Sequence, residues 1–338
     1  MASDSGVIAC GADGFVDVIE AAVQDEVGLE PTPAKRALGS ALARNLTGIS
    51  LGDFLRKFPD SDACFRHIFS VKYGDAPVCP QCGSSPRWYR VGSTQGFAPM
   101  CCFGVRVHPL SNTLFAKTRV PLHKWFYAML HFCNTGAGIG AAFLARHLDV
   151  STKAAVRMAR QIRLHFRAID NHVRLGGAGK IVHVYEDRMK KVIDPVNGSR
   201  NSMRILIASD TENFCIIAIP KGNFRSARAL ITKRLHPDST IIFRDTSTYK
   251  KVSEYRETSI DRAARSKIST DPYSPQFMDL SVTVIRLKLY ILSNHIWIRA
   301  ENIDHYLAAF EFVYRRSRAG RVAFLDAIGA FPELDPPP

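Results

Sequence analysis

Lys180-Ile181-Val182-His183-Val184-Tyr185-Glu186-Asp187 is the stretch at which the chain changes character. Alternation of apolar and polar side chains over residues 181–185 predicts a strand. Residues 203–209 and 214–219 predict a hairpin around Asp210-Thr211-Glu212-Asn213. Residues 226–235 predict a helix, and residues 240–243 predict another strand. Before this point helix-period patterns dominate. The glycine-rich run Leu175-Gly176-Gly177-Ala178-Gly179 lies between the two regimes and predicts a domain boundary. The chain therefore reads as α+β and multi-domain, with a mixed α/β sheet domain following a helical one.

The charge is as uneven as the periodicity. The 338 residues carry 45 Lys and Arg against 31 Asp and Glu, a net charge of +14, and are 46% hydrophobic. Residues 1–46 hold seven acidic and three basic side chains, a balance of −4, which leaves +18 for residues 47–338. An acidic extension ahead of a basic body excludes an acidic solvating protein and makes a polyanion the expected partner. No apolar run approaches the ~18 residues of a membrane span. Residues 1–29 carry Asp4, Asp13, Asp17, Glu20, Asp25 and Glu26 and no Lys or Arg, the wrong charge for a signal peptide. Eight Cys are too few for a disulfide scaffold, so a soluble cytoplasmic protein with thiols reduced or on metal is expected.

The basic residues concentrate at residues 146–174, where seven Lys and Arg face two Asp. Residues 139–148 predict a short helix and Asp149-Val150-Ser151 a turn. Ser151 is a suitable N-cap for a second helix over residues 152–169. At 100° per residue, Lys153, Arg157, Arg160, Arg163 and Arg167 fall in a stripe about 120° wide, opposite Ala155, Met158, Ala159, Ile162, Phe166 and Ile169. Like charges gathered on one stripe repel one another and gain little alone. A helix, tight turn and basic helix is the geometry that lays a second helix in a DNA major groove. An upstream helix at residues 123–133, with Trp125, Phe126, Met129, Leu130 and Phe132, is its expected packing partner.

Cys79-Pro80-Gln81-Cys82-Gly83 is half of a zinc ribbon. Two thiolates three positions apart grip one tetrahedral ion, and Gly83 permits the turn behind them. The second half is Cys101-Cys102, adjacent rather than spaced, with His108 six residues beyond. Adjacent side chains diverge, so the expected zinc set is Cys79, Cys82, one of Cys101 or Cys102, and His108. The alternative is a ribbon held without metal by packing around Trp88, Tyr89, Phe97 and Phe103. Cys10, Cys64, Cys133 and Cys215 read as plain thiols.

The strand, hairpin, helix and strand from residue 180 fit a ribonuclease-H-like core, whose members use two or three carboxylates to hold Mg²⁺ or Mn²⁺ for phosphoryl transfer. Over residues 49–325 the chain resembles the insertion-sequence (ISXO-type) DDE transposases with an N-terminal zinc ribbon. The matching stretches are Leu51-Gly52-Asp53-Phe54-Leu55-Arg56-Lys57-Phe58-Pro59-Asp60, Val78-Cys79-Pro80-Gln81-Cys82-Gly83-Ser84, Asn112-Thr113-Leu114-Phe115, Pro121-Leu122-His123-Lys124-Trp125-Phe126, and Tyr306-Leu307 through Phe312 to Tyr314-Arg315-Arg316. The resemblance implies binding of double-stranded DNA at transposon ends, a homo-oligomeric DNA complex and a divalent metal. It divides the chain into an acidic extension (1–48), a zinc-ribbon-like domain (49–118), a helix-turn-helix region (119–175) and an RNase-H-like transposase domain (180–330).

The departures from that family fall on the catalytic positions. Its first strand ends in a Val-Glu-Val-Asp-Glu pattern, where this chain has Val182-His183-Val184-Tyr185-Glu186, so Tyr185 stands at the first catalytic Asp. Its second Asp precedes a Tyr-Lys pair by five residues. Counting back from Tyr249 gives Arg244, with Asp245 one place out of register. The third carboxylate falls near Arg286, and residues 280–300 hold no Asp or Glu. Cations repel the metal that such a site needs. The expectation is a transposase-derived DNA-binding protein without DDE cleavage chemistry. Glu186, Asp187 and Asp245 are the substitutes through which an active Mg²⁺- or Mn²⁺-dependent enzyme would work. A protein-interaction module using the acidic extension and Pro336-Pro337-Pro338 is the third reading.

Overall fold

The computed structural model describes residues 48–92, 96–135, 139–193, 200–219, 233–244, 267–271, 274–292 and 298–334. The acidic extension to residue 47, Cys10, the expected helix up to residue 232, Asp245, Tyr249 and the terminal prolines lie outside the described residues. No helix among the described residues is long and apolar enough to cross a membrane.

Two capped helices begin the described chain. Ser50 accepts from the Asp53 N–H at the start of α1 (Leu51–Lys57), and Asp60 accepts from the Ala63 N–H at the start of α2 (Ser61–Tyr73). An antiparallel hairpin of β1 (Trp88–Val91) and β2 (Gly96–Pro99) lies on α2. Phe97 stacks on Phe65 at 5.0 Å and on Phe69 at 4.1 Å between ring centroids. Three further helices follow: α3 (Leu122–Asn134), α4 (Ala141–Leu148) and α5 (Thr152–Ile169).

The sheet consists of β3 (Ile181–Ile193), β4 (Arg200–Ser209), β5 (Phe214–Ile219), β6 (Thr240–Phe243) and β7 (Lys267–Thr270) in the order β5-β4-β3-β6-β7. The β3–β4 and β4–β5 pairs are antiparallel, whereas β6 runs parallel to β3 and β7 parallel to β6. A two-residue β8 (Ile298–Arg299) pairs with the far end of β3. Val182, Val184, Leu206, Ala208, Ile217, Ile219, Ile241 and Phe243 form one buried face. The other face carries His183, Tyr185 and Asp187, by the two-residue period of a strand, and meets α6 (Gln276–Leu292).

The last helices, α7 (Ile303–Arg318) and α8 (Ala323–Ile328), return to the helical layer. Phe312 of α7 stacks on Phe166 of α5 at 4.2 Å and 5°, and both rings are wholly buried. Burying each such ring contributes about 1.5–3 kcal/mol. Phe58 meets Phe126 at 4.9 Å and Phe324 at 6.3 Å, so rings from all three expected domains share one core. Residues 47–338 form one compact unit. The glycine run is consequently a tight turn inside that unit. Gly176 has φ +82°, and a Cβ there would come within 2.0 Å of the Ser239 hydroxyl. Leu175 can then pair with Leu235 while Ser239 accepts from the Gly177 N–H.

α7 also closes the β5 edge. Glu311 accepts from the Ile216 N–H at 2.6 Å, and Arg315 donates to the Phe214 carbonyl at 2.7 Å. These side chains satisfy the backbone groups that an open edge strand would offer to another chain. Asp170, at the C-terminal end of α5, accepts from Arg315 at 2.7 Å and from two nitrogens of Arg316 at 2.9 Å each. One buried ionic network thus ties α5 and α7 to the sheet.

Candidate functional site

Four sulfurs converge beside the β1–β2 hairpin. Those of Cys79, Cys82, Cys101 and Cys102 all lie within 4.8 Å of one another, and Cys82 and Cys101 are 3.4 Å apart. A tetrahedron with ~2.3 Å zinc–sulfur bonds has edges of about 3.8 Å, so the donor set fits one such ion. Gly83, at φ +71°, donates to the Cys79 carbonyl and forms the first knuckle. The expectation that Cys101 and Cys102 diverge does not hold. They follow β2 in a bend, not in an extended strand, and both sulfurs reach the cluster. His108 is no member of it; its ring packs against Gly96. Hydrogen bonds from Ser84 lower the Cys82 thiol to about 6, towards the thiolate form that ligates metal. Cys64, Cys133 and Cys215 are buried thiols held protonated by burial.

The two helices around residue 150 form as the sequence indicates. Asp149 adopts the left-handed conformation at φ 47° and ends α4, and Ser151 accepts from the Ala154 N–H to start α5. Lys153, Arg157, Arg160 and Arg167 are exposed. Arg157 also donates to the Ala116 carbonyl at 3.0 Å, which places the exposed Lys117 and Arg119 of the neighbouring loop alongside the stripe. Arg163 is the exception. It is 5% exposed, donates to the Ile139 carbonyl at 3.2 Å and lies 4.0 Å over the Tyr306 ring. It occupies the edge of the stripe that α7 covers, and no phosphate can reach it. Burial first, then the Arg167 and Arg160 guanidinium groups, hold His305 below its ordinary pKa, a sign of the positive potential on that side.

The positions that the resemblance assigns to catalysis, Tyr185, Arg244 and Arg286, carry a phenol and two guanidinium groups. Arg244 follows β6 and lies 4.9 Å over the ring of Tyr185 on the adjacent β3. Lys288 of α6 pairs with Asp187 at 3.2 Å, and Arg204 of β4 pairs with Glu186 at 3.2 Å. Glu186 and Asp187 are consecutive on a strand and face opposite sides of the sheet, so they cannot share one ion. Arg286 does not join this group; it lies 5.0 Å over the Tyr314 ring of α7. Residues 286 and 288 are about 200° apart around a helix, so the cation brought to β3 is Lys288. Near the same strand, His183 meets the Ser274 hydroxyl at 2.9 Å and Phe277 edge-on, and burial holds it below its ordinary pKa. Asp210 is structural, accepting from the Gly176, Glu212 and Asn213 N–H groups.

No protein-family model matches the chain, and no curated protein matches it. Among solved structures, the crystal structure of the Mos1 strand transfer complex is similar at 13% identity over 58% of this chain and 75% of that one, with a TM-score of 0.25. The crystal structure of a pre-cleavage Mos1 transpososome is similar at 11% identity over 58% and 76%, with a TM-score of 0.21. Both scores are too low to carry a conclusion about this chain.

Proposed function

We propose that this chain is a transposase-derived protein that binds double-stranded DNA and has lost the chemistry to cut it. The strand order supports the origin. Counted along the chain it is 3-2-1-4-5, with the first three strands antiparallel and the last two parallel to the first, the order of a ribonuclease-H-like core. The motif resemblance over residues 49–325 supports the same origin. The observation that carries the loss of cleavage is the Tyr185–Arg244 stack beside the Asp187–Lys288 pair. In-line phosphoryl transfer in such cores needs carboxylates that offset two dications. Here the first position is a phenol, the second a guanidinium that never deprotonates, and the neighbouring Asp187 carboxylate already has an ammonium partner.

In this reading the DNA contact is the exposed side of α5, with Lys153, Arg157, Arg160 and Arg167, extended by Lys117 and Arg119. The four-thiol centre holds zinc through Cys79, Cys82, Cys101 and Cys102, which fixes the ribbon against α2 and needs no part in a reaction. The test is fluorescence anisotropy of the full chain on a labelled duplex across a salt series. Saturable binding with log K falling linearly against log salt is expected. Salt-independent binding, or none at low salt, would reject the reading.

A further inference from the structure

The ribbon has an outer face that metal ligation does not account for. Trp88 and Phe97 turn inward onto Phe69. By strand alternation Tyr89 turns outward, while Ala98, its partner across the hairpin, is buried. Met100 also turns outward, its N–H bonded to the Arg87 carbonyl. Tyr89 is 53% exposed and Met100 68%, while Phe103, immediately after the Cys101-Cys102 pair, is 106% exposed. Three large side chains with this much free surface are mounted on a hairpin that α2 and the thiol cluster hold rigid. Single exposed apolar residues are ordinary, but three large ones within residues 89–103 of one small element point to a contact site.

The surrounding charge selects the partner. Residues 76–108 contain no Asp or Glu and three Arg. Arg90 is taken up by Asp62. Arg87 and Arg106 are exposed and form no ion pair among the described residues. Aromatic and thioether surface bordered by unopposed guanidinium groups suits the faces of nucleobases, with phosphates alongside. A protein partner for the same patch would have to be both apolar and acidic.

We infer that the outer face of the ribbon, Tyr89, Met100 and Phe103 with Arg87 and Arg106, is a stacking site for unpaired or unstacked DNA bases. It deepens the DNA-binding reading and rests on it. The α5 stripe holds the duplex through phosphates and gives no preference between paired and unpaired bases, whereas the ribbon face does. Phe103, the most exposed of the three, acts as the wedge, as apolar side chains do when they enter an opened base step.

The probes are a labelled 30-base-pair duplex and the same duplex with a three-nucleotide mismatched bubble, titrated with the full chain by anisotropy at one salt concentration. The wild-type chain is expected to bind the bubble about tenfold more tightly than the paired duplex, within the range of one or two stacked bases. Phe103→Ala and Tyr89→Ala should each remove most of that preference and leave paired-duplex affinity unchanged. Tyr89 is not adjacent to a thiol ligand, so its variant separates loss of stacking from damage to the metal centre, and metal content is measured in both. Equal binding of the two probes by the wild-type chain would overturn the inference while leaving duplex binding intact. Loss of self-association in Phe103→Ala with no change on either DNA would overturn it too, in favour of a second copy as the occupant. No binding to either probe would instead reject the DNA-binding reading beneath it.

Discussion

Replacing Lys153, Arg160 and Arg167 together by Ala should weaken duplex binding without unfolding the chain. All three are exposed, and none forms an ion pair among the described residues. Each lost phosphate contact lowers the slope of log K against log salt by ~0.9, which between 1 M and 0.15 M salt corresponds to roughly a fivefold change in affinity. Three contacts therefore amount to about a 150-fold weakening near 0.15 M salt and a slope shallower by about 2.7. Arg163→Ala is the contrasting variant. It loses a buried hydrogen bond to Ile139 and the stack on Tyr306, a cost of about 3 kcal/mol from a charged hydrogen bond and a desolvated cation–π contact. Anisotropy across a salt series and thermal denaturation measure the two effects. An unchanged slope in the triple variant would remove α5 as the contact. An Arg163→Ala chain of normal stability whose DNA binding falls more than that of the triple variant would show that the wrong side of α5 had been assigned.

Other outcomes follow from the same structure. Asp170→Ala leaves Arg315 and Arg316 buried without their shared carboxylate, so denaturation should show a loss of about 3–5 kcal/mol. Elemental analysis should find one zinc per chain, retained in His108→Ala and reduced in Cys102→Ser, because the Cys102 sulfur lies in the four-thiol cluster and the His108 ring does not. Acid should destabilise the chain partly through His165, whose pKa burial lowers to about 4. The unfolded imidazole, near ~6.5, binds a proton that the folded one refuses, so stability falls as pH drops from about 6.5 to 4, by roughly 3 kcal/mol in all. His165→Gln should flatten that part of the stability–pH curve, and an unchanged curve would exclude His165 as its source.

Much of this arrangement is legible in the sequence, for reasons specific to each element. Strands β5 and β6 are runs of β-branched and apolar residues bounded by turn residues, and their limits match the expectation, as does the Ser151 cap of α5. Strand β3 was expected over five residues and spans thirteen, because Glu186, Asp187 and Arg188 break the apolar alternation while β4 and β8 still pair with the extended backbone. The Cys101-Cys102 pair misleads because residue spacing does not reveal the bend after β2. The ionic network is invisible locally, since Asp170 and Arg316 are 146 residues apart. Arg163 belongs to the stripe by angle and to the core by contact, and only the position of α7 decides between them.

The loss of cleavage is tested most directly by a strand-nicking assay of the unmodified chain on duplex DNA with Mg²⁺ and then Mn²⁺. A sheet face on which Arg244 lies on Tyr185 and Lys288 pairs with Asp187 should give no metal-dependent product, while DNA binding in the same samples persists. Robust nicking that requires the metal and disappears in Asp187→Ala or Asp245→Ala would contradict it, and would make this chain an active transposase with relocated carboxylates.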